Sequence, residues 1–278
     1  MKIELAKSYG FCYGVKRAIK IAEDHPNSAT FGPIIHNIDE INRLKSDFNV
    51  DLVEDVKSAL KFDTIVVRTH GITKENLKTL KKHGKKVINA TCPYVTTPQQ
   101  IVQSMSKEGY TIVIFGDKNH PEIKGVSSYS VDKERTFIVL SENDLIGLPL
   151  GTKVAIVAQT TRKPEDFKKI VAALSVRVAE LRVFNTICNA TFENQDAAAE
   201  LSKKADVMIV IGGKHSSNTK QLFNICKSIC KDSYHIENES ELKKEWFDGK
   251  KLCGISAGAS TPDWIIKKVV DKIEKLTN

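Results

Sequence analysis

Aromatic residues make up only 7% of the chain, and tryptophan occurs twice. Binders of single-stranded nucleic acid interleave basic residues with stacking aromatics, so that class finds no support and no nucleic-acid partner is expected. No apolar run approaches the roughly 18 residues of a membrane-spanning helix. The longest, such as Val207-Met208-Ile209-Val210-Ile211, have the length of a strand. Met1 to Gly10 carries no hydrophobic signal core, and the expectation is a cytoplasmic protein with no membrane partner. Neither a Walker A motif nor Gly-x-Gly-x-x-Gly is present, so a nucleotide cofactor is not indicated. Cys-x-x-Cys is missing too. No low-complexity segment marks a domain boundary.

What is present is an ordinary globular composition of 278 residues, 41% hydrophobic and 27% charged. Such a chain buries a core without disulfide staples. The formal charge of +8 points to an acidic partner or an anionic substrate. Six lysines and one glutamate between Lys74 and Lys86 read as a solvated helix face.

Short Val- and Ile-rich runs alternate with amphipathic stretches. Strands are expected at Lys2–Ala6, Thr64–Arg68, Lys86–Asn89, Thr111–Phe115, Thr136–Leu140, Lys153–Ala158, Val207–Ile211 and Leu252–Ile255. Their lack of polar alternation fits strands covered on both faces of a parallel sheet. Helices are expected from Thr73 to Gly84, after Thr97 with Pro98 early and Gly109 as the stop, and after a Ser260 or Thr261 cap. Strand followed by helix, repeated, means an α/β fold. Three strands run into loops carrying a histidine: Val66 to His70, Ile114 to His120 and Val210 to His215. Three related α/β units would aim the C-terminal ends of these strands at a ligand, although α/β chains share this grain widely.

Six cysteines in a reducing compartment are core residues, metal ligands or nucleophiles. Cys12, Cys92 and Cys188 sit in turn-like contexts before helices, where a thiolate is favoured and can bind a soft metal. Spacing alone favours inert thiols over ligands. Cys226 and Cys230 on a helix and Cys253 in a strand read as small core residues. His120-Pro121-Glu122 sets an imidazole and a carboxylate two residues apart, a pair able to pass protons. His25, His83 and His235 read as structural. Ser216-Ser217-Asn218 after Gly212-Gly213, Ala257-Gly258-Ala259-Ser260-Thr261-Pro262, and Gln159-Thr160-Thr161 supply either helix caps or an oxyanion site.

Taken in order, Gly10-Phe11-Cys12-Tyr13-Gly14-Val15, His36-Asn37, Thr69-His70-Gly71, Asn89-Ala90-Thr91-Cys92-Pro93, His120-Pro121-Glu122, Gln159-Thr160-Thr161, Thr186-Ile187-Cys188, Ser216-Ser217-Asn218 and Ala257-Gly258-Ala259-Ser260 span the whole chain. This ordered set resembles the 4-hydroxy-3-methylbut-2-enyl diphosphate reductase family, also called LytB or IspH. The resemblance implies three similar α/β units with small, mostly parallel sheets, arranged as a trefoil around a central cluster-containing cavity. It implies units at 7–91, 92–186 and 187–278, the last completed by the N-terminal strand 1–6. It makes Cys12, Cys92 and Cys188 the ligands of one [4Fe–4S] cluster per chain, against the reading from spacing. Such clusters usually take four cysteines, so one iron stays open.

The implied reaction, a step of isoprenoid precursor biosynthesis by the non-mevalonate pathway, removes the allylic hydroxyl reductively. The hydroxyl binds the open iron, and two electrons enter from an acidic donor protein such as a flavodoxin or ferredoxin. The products are isopentenyl and dimethylallyl diphosphate. Glu122 would supply protons with His120 and Thr160 beside it. His36, His70, His120, Thr160, Ser216, Ser217, Asn218 and Ser260 would hold the diphosphate substrate. Asn89 stands where relatives commonly carry aspartate, and Asn189 and Phe192-Glu193-Asn194 where many carry an aromatic and an arginine. Two rivals compete: a non-catalytic anion-binding or redox-sensing α/β module, which needs no His-Pro-Glu proton source, and a basic RNA-associated protein.

Overall fold

The computed structural model describes residues 1–277 apart from His36 and His215. In chain order come β1 (Lys2–Leu5), α1 (Tyr13–Glu23), β2 (Ala29–Phe31), α2 (Ile38–Phe48), β3 (Asp51–Val53), α3 (Val56–Ala59), β4 (Thr64–Val67) and α4 (Lys74–Lys82). There follow β5 (Lys86–Asn89), α5 (Pro93–Lys107), β6 (Thr111–Phe115), α6 (Pro121–Ser128), β7 (Thr136–Val139), β8 (Lys153–Ala158), α7 (Pro164–Ser175) and β9 (Glu180–Phe184). The chain ends with α8 (Ala190–Ser202), β10 (Val207–Ile211), α9 (Ser217–Ile229), β11 (Ser233–Ile236), β12 (Leu252–Ala257) and α10 (Asp263–Thr277).

The strands form three four-stranded sheets, ordered β3-β2-β4-β5, β7-β6-β8-β9 and β11-β10-β12-β1. All the described pairings are parallel. The three sheets repeat one order, in which β2, β6 and β10 each stand second, between the two strands that follow them in the chain. In the last sheet the fourth place is taken by β1 from the start of the chain, its Ile3 opposite Cys253. The chain divides into two compact units. One comprises Met1–Lys16, Ile35–Arg43 and Asn189–Asn278 and contains the sheet with β1. The other comprises Arg17–Ile34 and Leu44–Cys188 and contains the remaining two sheets.

Burial explains why the central strands read so plainly. Every residue of β6 and β10 is buried. Along β10, Val207, Ile209 and Ile211 pack with Ile265, Ile266, Val269 and Ile273 of α10. The alternate residues Met208 and Val210 pack against Leu201, Leu222 and Cys226 of α8 and α9. A fully buried side chain of this kind contributes about 1.5–3 kcal/mol, so a strand covered on both faces is apolar at nearly every position.

Two helix starts differ from the sequence reading. α5 begins at Pro93, whose missing N–H costs nothing in the first turn, and Pro98 lies inside the helix. α10 begins after Pro262 rather than at a Ser260 or Thr261 cap, because the Thr261 hydroxyl donates instead to the Ile211 carbonyl at 3.0 Å. Thr73 does cap α4, accepting from the Asn76 N–H at 3.2 Å.

Candidate active site

In the unit built from Arg17–Ile34 and Leu44–Cys188, the loops after β4, β5, β6 and β8 and the segment after β9 carry the chemistry. The turn after β4 presents His70. It is closed twice, by the Gly71 N–H to the Arg68 carbonyl at 3.0 Å and by the Arg68 guanidinium to the Gly71 carbonyl at 3.2 Å. Gly71 has φ +75°, a conformation that favours glycine. Thr69 anchors the turn by donating its hydroxyl to the Ile34 carbonyl at 2.9 Å.

Cys92 follows β5 as the N-cap residue of α5. Its N–H donates to the Thr69 carbonyl at 2.9 Å, tying the cysteine to the His70 turn. Arg17 of α1 grips the preceding loop from outside, donating to the carbonyls of Thr91 at 3.2 Å and Asn89 at 3.4 Å. The Asn89 side chain accepts the Thr91 N–H at 3.0 Å, a bond an aspartate would make equally well.

His120 caps α6, its Nδ1 accepting the Glu122 N–H at 3.2 Å. With Nδ1 an acceptor, Nε2 carries the proton of the neutral ring. The His120 and His70 rings meet edge to face, 5.3 Å between centroids. Glu122, in the first turn of α6, is 1% exposed. It accepts the Thr160 N–H on Oε1 and the Thr160 hydroxyl on Oε2, both at 2.8 Å. Burial pushes the Glu122 carboxyl above the usual range, opposed by the two Thr160 bonds and by the Arg162 guanidinium. The Thr160 carbonyl accepts the Cys188 N–H at 2.8 Å. Cys92, His70, His120, Glu122, Thr160 and Cys188 therefore form one connected set. Gln159 braces it, its Oε1 accepting from the Asp117 N–H at 3.0 Å and from Arg162 at 3.3 Å.

The unit of Met1–Lys16, Ile35–Arg43 and Asn189–Asn278 holds the other candidates. Cys12 directly precedes α1, its carbonyl accepting the Lys16 N–H at 2.9 Å. Its own N–H donates to the Ala259 carbonyl at 3.3 Å, setting it beside Ser260. Ser216 caps α9 by accepting the Thr219 N–H at 3.3 Å, and Ser217 is the first residue of that helix. The Asn218 amide nitrogen is buried with no partner among the described residues. Asn37 caps α2 by accepting the Glu40 N–H at 2.9 Å. His36 lies outside the described residues.

Each of Cys12, Cys92 and Cys188 is partly exposed at the start of a helix, whereas Cys226, Cys230 and Cys253 are buried. Burial raises the Cys226 thiol, and it pushes Cys253 up to about 12. A soft-metal ligand must be a thiolate, which a helix N-terminus favours and apolar burial opposes. The first three cysteines fit a cluster; the second three do not. Among the described residues, no group of three His, Cys, Asp or Glu side chains could hold a metal ion. In an iron–sulfur cluster each thiolate binds its own iron.

Sequence reasoning missed the supporting residues. Arg17 and Asn194 act through carbonyls distant in sequence and Arg68 through the Gly71 carbonyl three residues on; Asn194 takes the Ser8 hydroxyl at 2.6 Å and reaches the Gly10 carbonyl at 3.5 Å. His25, His83 and His235 each bond a backbone carbonyl, as their structural reading requires.

Residues 3–274 match the family model described as LytB protein. The chain is 68% identical to the 4-hydroxy-3-methylbut-2-enyl diphosphate reductase of a Sulfurovum species, over 99% of this chain and 100% of that protein. A Nitratiruptor enzyme of the same name is 64% identical, over 99% of each chain. A solved (E)-4-hydroxy-3-methyl-but-2-enyl diphosphate reductase, described as the terminal enzyme of the non-mevalonate pathway, superposes with TM-score 0.80. It shares 44% identity over 98% of this chain and 99% of its own. The Plasmodium falciparum reductase structure gives 0.83 at 29% identity, over 97% and 86%. The chain belongs to the LytB protein family.

Proposed function

We propose that this protein is a 4-hydroxy-3-methylbut-2-enyl diphosphate reductase of isoprenoid precursor biosynthesis. The observation that carries the reading is the buried Glu122 carboxyl, bonded twice by Thr160 and flanked by His120, within the set that also holds Cys92 and Cys188. Cys12, Cys92 and Cys188 would hold one [4Fe–4S] cluster per chain. When bound, that cluster supplies electrons and an iron with no protein ligand.

The overall change adds two electrons and two protons. The allylic C–O bond breaks, the hydroxyl leaves as water with one proton, and the other proton goes to carbon. Protonation at one or the other end of the allylic system gives isopentenyl or dimethylallyl diphosphate. Glu122 suits the proton supply, since burial raises its carboxyl above the ordinary glutamate value and so favours the protonated form. Thr160, bonded through N–H and hydroxyl, fixes the acid and can relay its proton. His70, His120, Ser216, Ser217, Asn218 and Ser260, with His36, would bind the diphosphate. The Asn218 amide at the start of α9, buried and without a partner among the described residues, is a donor suited to such an anion.

The fold repeats as three α/β units in this reading, 7–91, 92–186 and 187–278 with the strand 1–6. The electrons come from an acidic donor of the flavodoxin or ferredoxin kind, attracted by the net charge of +8. No described helix is long and apolar enough to cross a membrane. We assign the protein to the cytoplasm, where its thiols stay reduced. Protein purified without oxygen is expected to be brown, to contain iron and acid-labile sulfide, and to bind the substrate. Colourless, iron-free protein from such a preparation would defeat the proposal.

A further inference from the structure

Two loops of the unit containing Cys12 leave neighbouring strands at the same edge. The loop after β10 leads through Gly212 to Ser216, Ser217 and Asn218. The loop after β12 runs from Gly258 to Ser260 and Thr261. The parent strands are in register, Ile211 opposite Ala257, and the Gly258 N–H donates to the Ile211 carbonyl at 2.9 Å. Beyond that bond a single side-chain bond among the described residues ties the second loop to β10, from the Thr261 hydroxyl to the Ile211 carbonyl at 3.0 Å.

Thr219, in the first turn of α9, sits where they meet. It is 0% exposed. Its hydroxyl has no hydrogen-bond partner among the described residues. A buried hydroxyl left unpaired is unfavourable, so hydrogen bonding among the described residues does not account for the side chain. Its contacts do. A methyl group on Gly258 would overlap the Thr219 hydroxyl oxygen and come within 3.2 Å of its Cβ. A methyl on Gly212 would lie 2.7 Å from the Thr261 hydroxyl oxygen, 2.8 Å from that of Thr219 and 3.0 Å from the Thr219 Cγ2. Gly212 also has φ +146°, outside the range that L side chains adopt readily. Gly258 thus makes room for Thr219 alone, and Gly212 for Thr219 together with the Thr261 hydroxyl.

We infer that Thr219 is a positioning residue for the substrate diphosphate: seated between Gly212 and Gly258, it sets the separation of the loop carrying Ser216 and Asn218 from the loop carrying Ser260. The inference rests on the proposed role of those three residues as diphosphate ligands. It gives the two glycines and the threonine one shared function, which is to keep two sets of donors one diphosphate apart. Close packing makes such a slot intolerant of an added methyl group.

The test uses the cluster-loaded protein, with inorganic pyrophosphate as the binding probe and substrate KM and kcat measured alongside. Gly258→Ala drives the loops apart and should weaken pyrophosphate binding and raise KM by about 10- to 100-fold, the scale of one lost hydrogen bond to a charged group. Because Ala259 anchors Cys12, iron is measured on the same preparation, and per loaded cluster KM should change by a larger factor than kcat. The double variant Thr219→Ala with Gly258→Ala places the new methyl in the volume the hydroxyl vacates, and should recover most of the affinity. A purely structural role predicts another pattern, with iron content and kcat falling together at unchanged KM. Wild-type affinity in a folded Gly258→Ala protein overturns the inference. So does a double variant that binds no better than Gly258→Ala, and if the single variant does not fold, a double variant that fails to bind pyrophosphate overturns it alone. A wild-type protein that does not bind pyrophosphate would instead remove the diphosphate reading of Ser216, Asn218 and Ser260, and this inference with it.

Discussion

Replacing Glu122 by glutamine isolates proton supply from everything else this residue does. The carboxyl is 1% exposed and makes two bonds, both to Thr160 at 2.8 Å. In Glu122→Gln the amide oxygen still accepts the Thr160 N–H, and the Thr160 hydroxyl can turn to accept from the new NH2 group. Bond count and volume are therefore conserved. Burial favours the neutral form of the wild-type carboxyl, so bonds worth about 1 kcal/mol each are exchanged for bonds of the same kind. Net stability should change by no more than about 2 kcal/mol. The acidic proton, however, is gone. General acid catalysis is worth about 10²–10⁴-fold, or about 2.7–5.4 kcal/mol of barrier at 1.36 kcal/mol per decade. The assay is turnover without oxygen using a reduced viologen donor, with iron, sulfide and substrate affinity measured on the same preparation. The expected result is normal cluster content and near-normal affinity with turnover down by that factor. Near-normal turnover in a cluster-replete variant refutes the reasoning and moves the proton source to His120 or a diphosphate oxygen.

The six cysteines should divide three and three: serine at Cys12, Cys92 or Cys188 strips or cripples the cluster. Alanine at Cys226, Cys230 or Cys253 costs on the order of 1 kcal/mol of stability and leaves iron and sulfide unchanged. Because the Glu122 carboxyl titrates higher in the folded protein than in the unfolded chain, its contribution to stability is present below the ordinary glutamate value of about 4.3 and is lost as pH rises through the folded value. Thermal midpoints across that window should show the wild type losing stability relative to Glu122→Gln; parallel curves would contradict the raised value. Turnover driven by an acidic donor protein should fall as salt rises, since screening shortens to about 8 Å at physiological strength, while turnover with a small reductant changes less. Equal salt responses would count against a docked acidic donor.

The sequence revealed the parts whose physics is local. β6 and β10 are apolar at nearly every position because both faces are covered, and a run such as Thr111–Phe115 has no other reading. β2 and β3, three residues each, are too short to show a period. β9, Glu-Leu-Arg-Val-Phe, is an edge strand with exposed residues, and β11 carries Tyr and His among its four. The pairing of β1 with β12 joins the two ends of the chain, and no local pattern encodes it. The site divides the same way. Cys92, His120, Glu122 and Thr160 stand in turn motifs that can be read directly. That Thr160 joins Glu122 to Cys188, or that Arg17 holds the carbonyls ahead of Cys92, depends on residues brought together by folding.

This chain converts a hydroxylated allylic diphosphate into its reduced products. The most direct test of this conversion is to reduce protein purified without oxygen, mix it with 4-hydroxy-3-methylbut-2-enyl diphosphate and identify the products by mass spectrometry. Isopentenyl and dimethylallyl diphosphate, formed by wild type and absent with Cys12→Ser, are the predicted result. Unchanged substrate in the presence of a fully loaded, fully reduced cluster would contradict it.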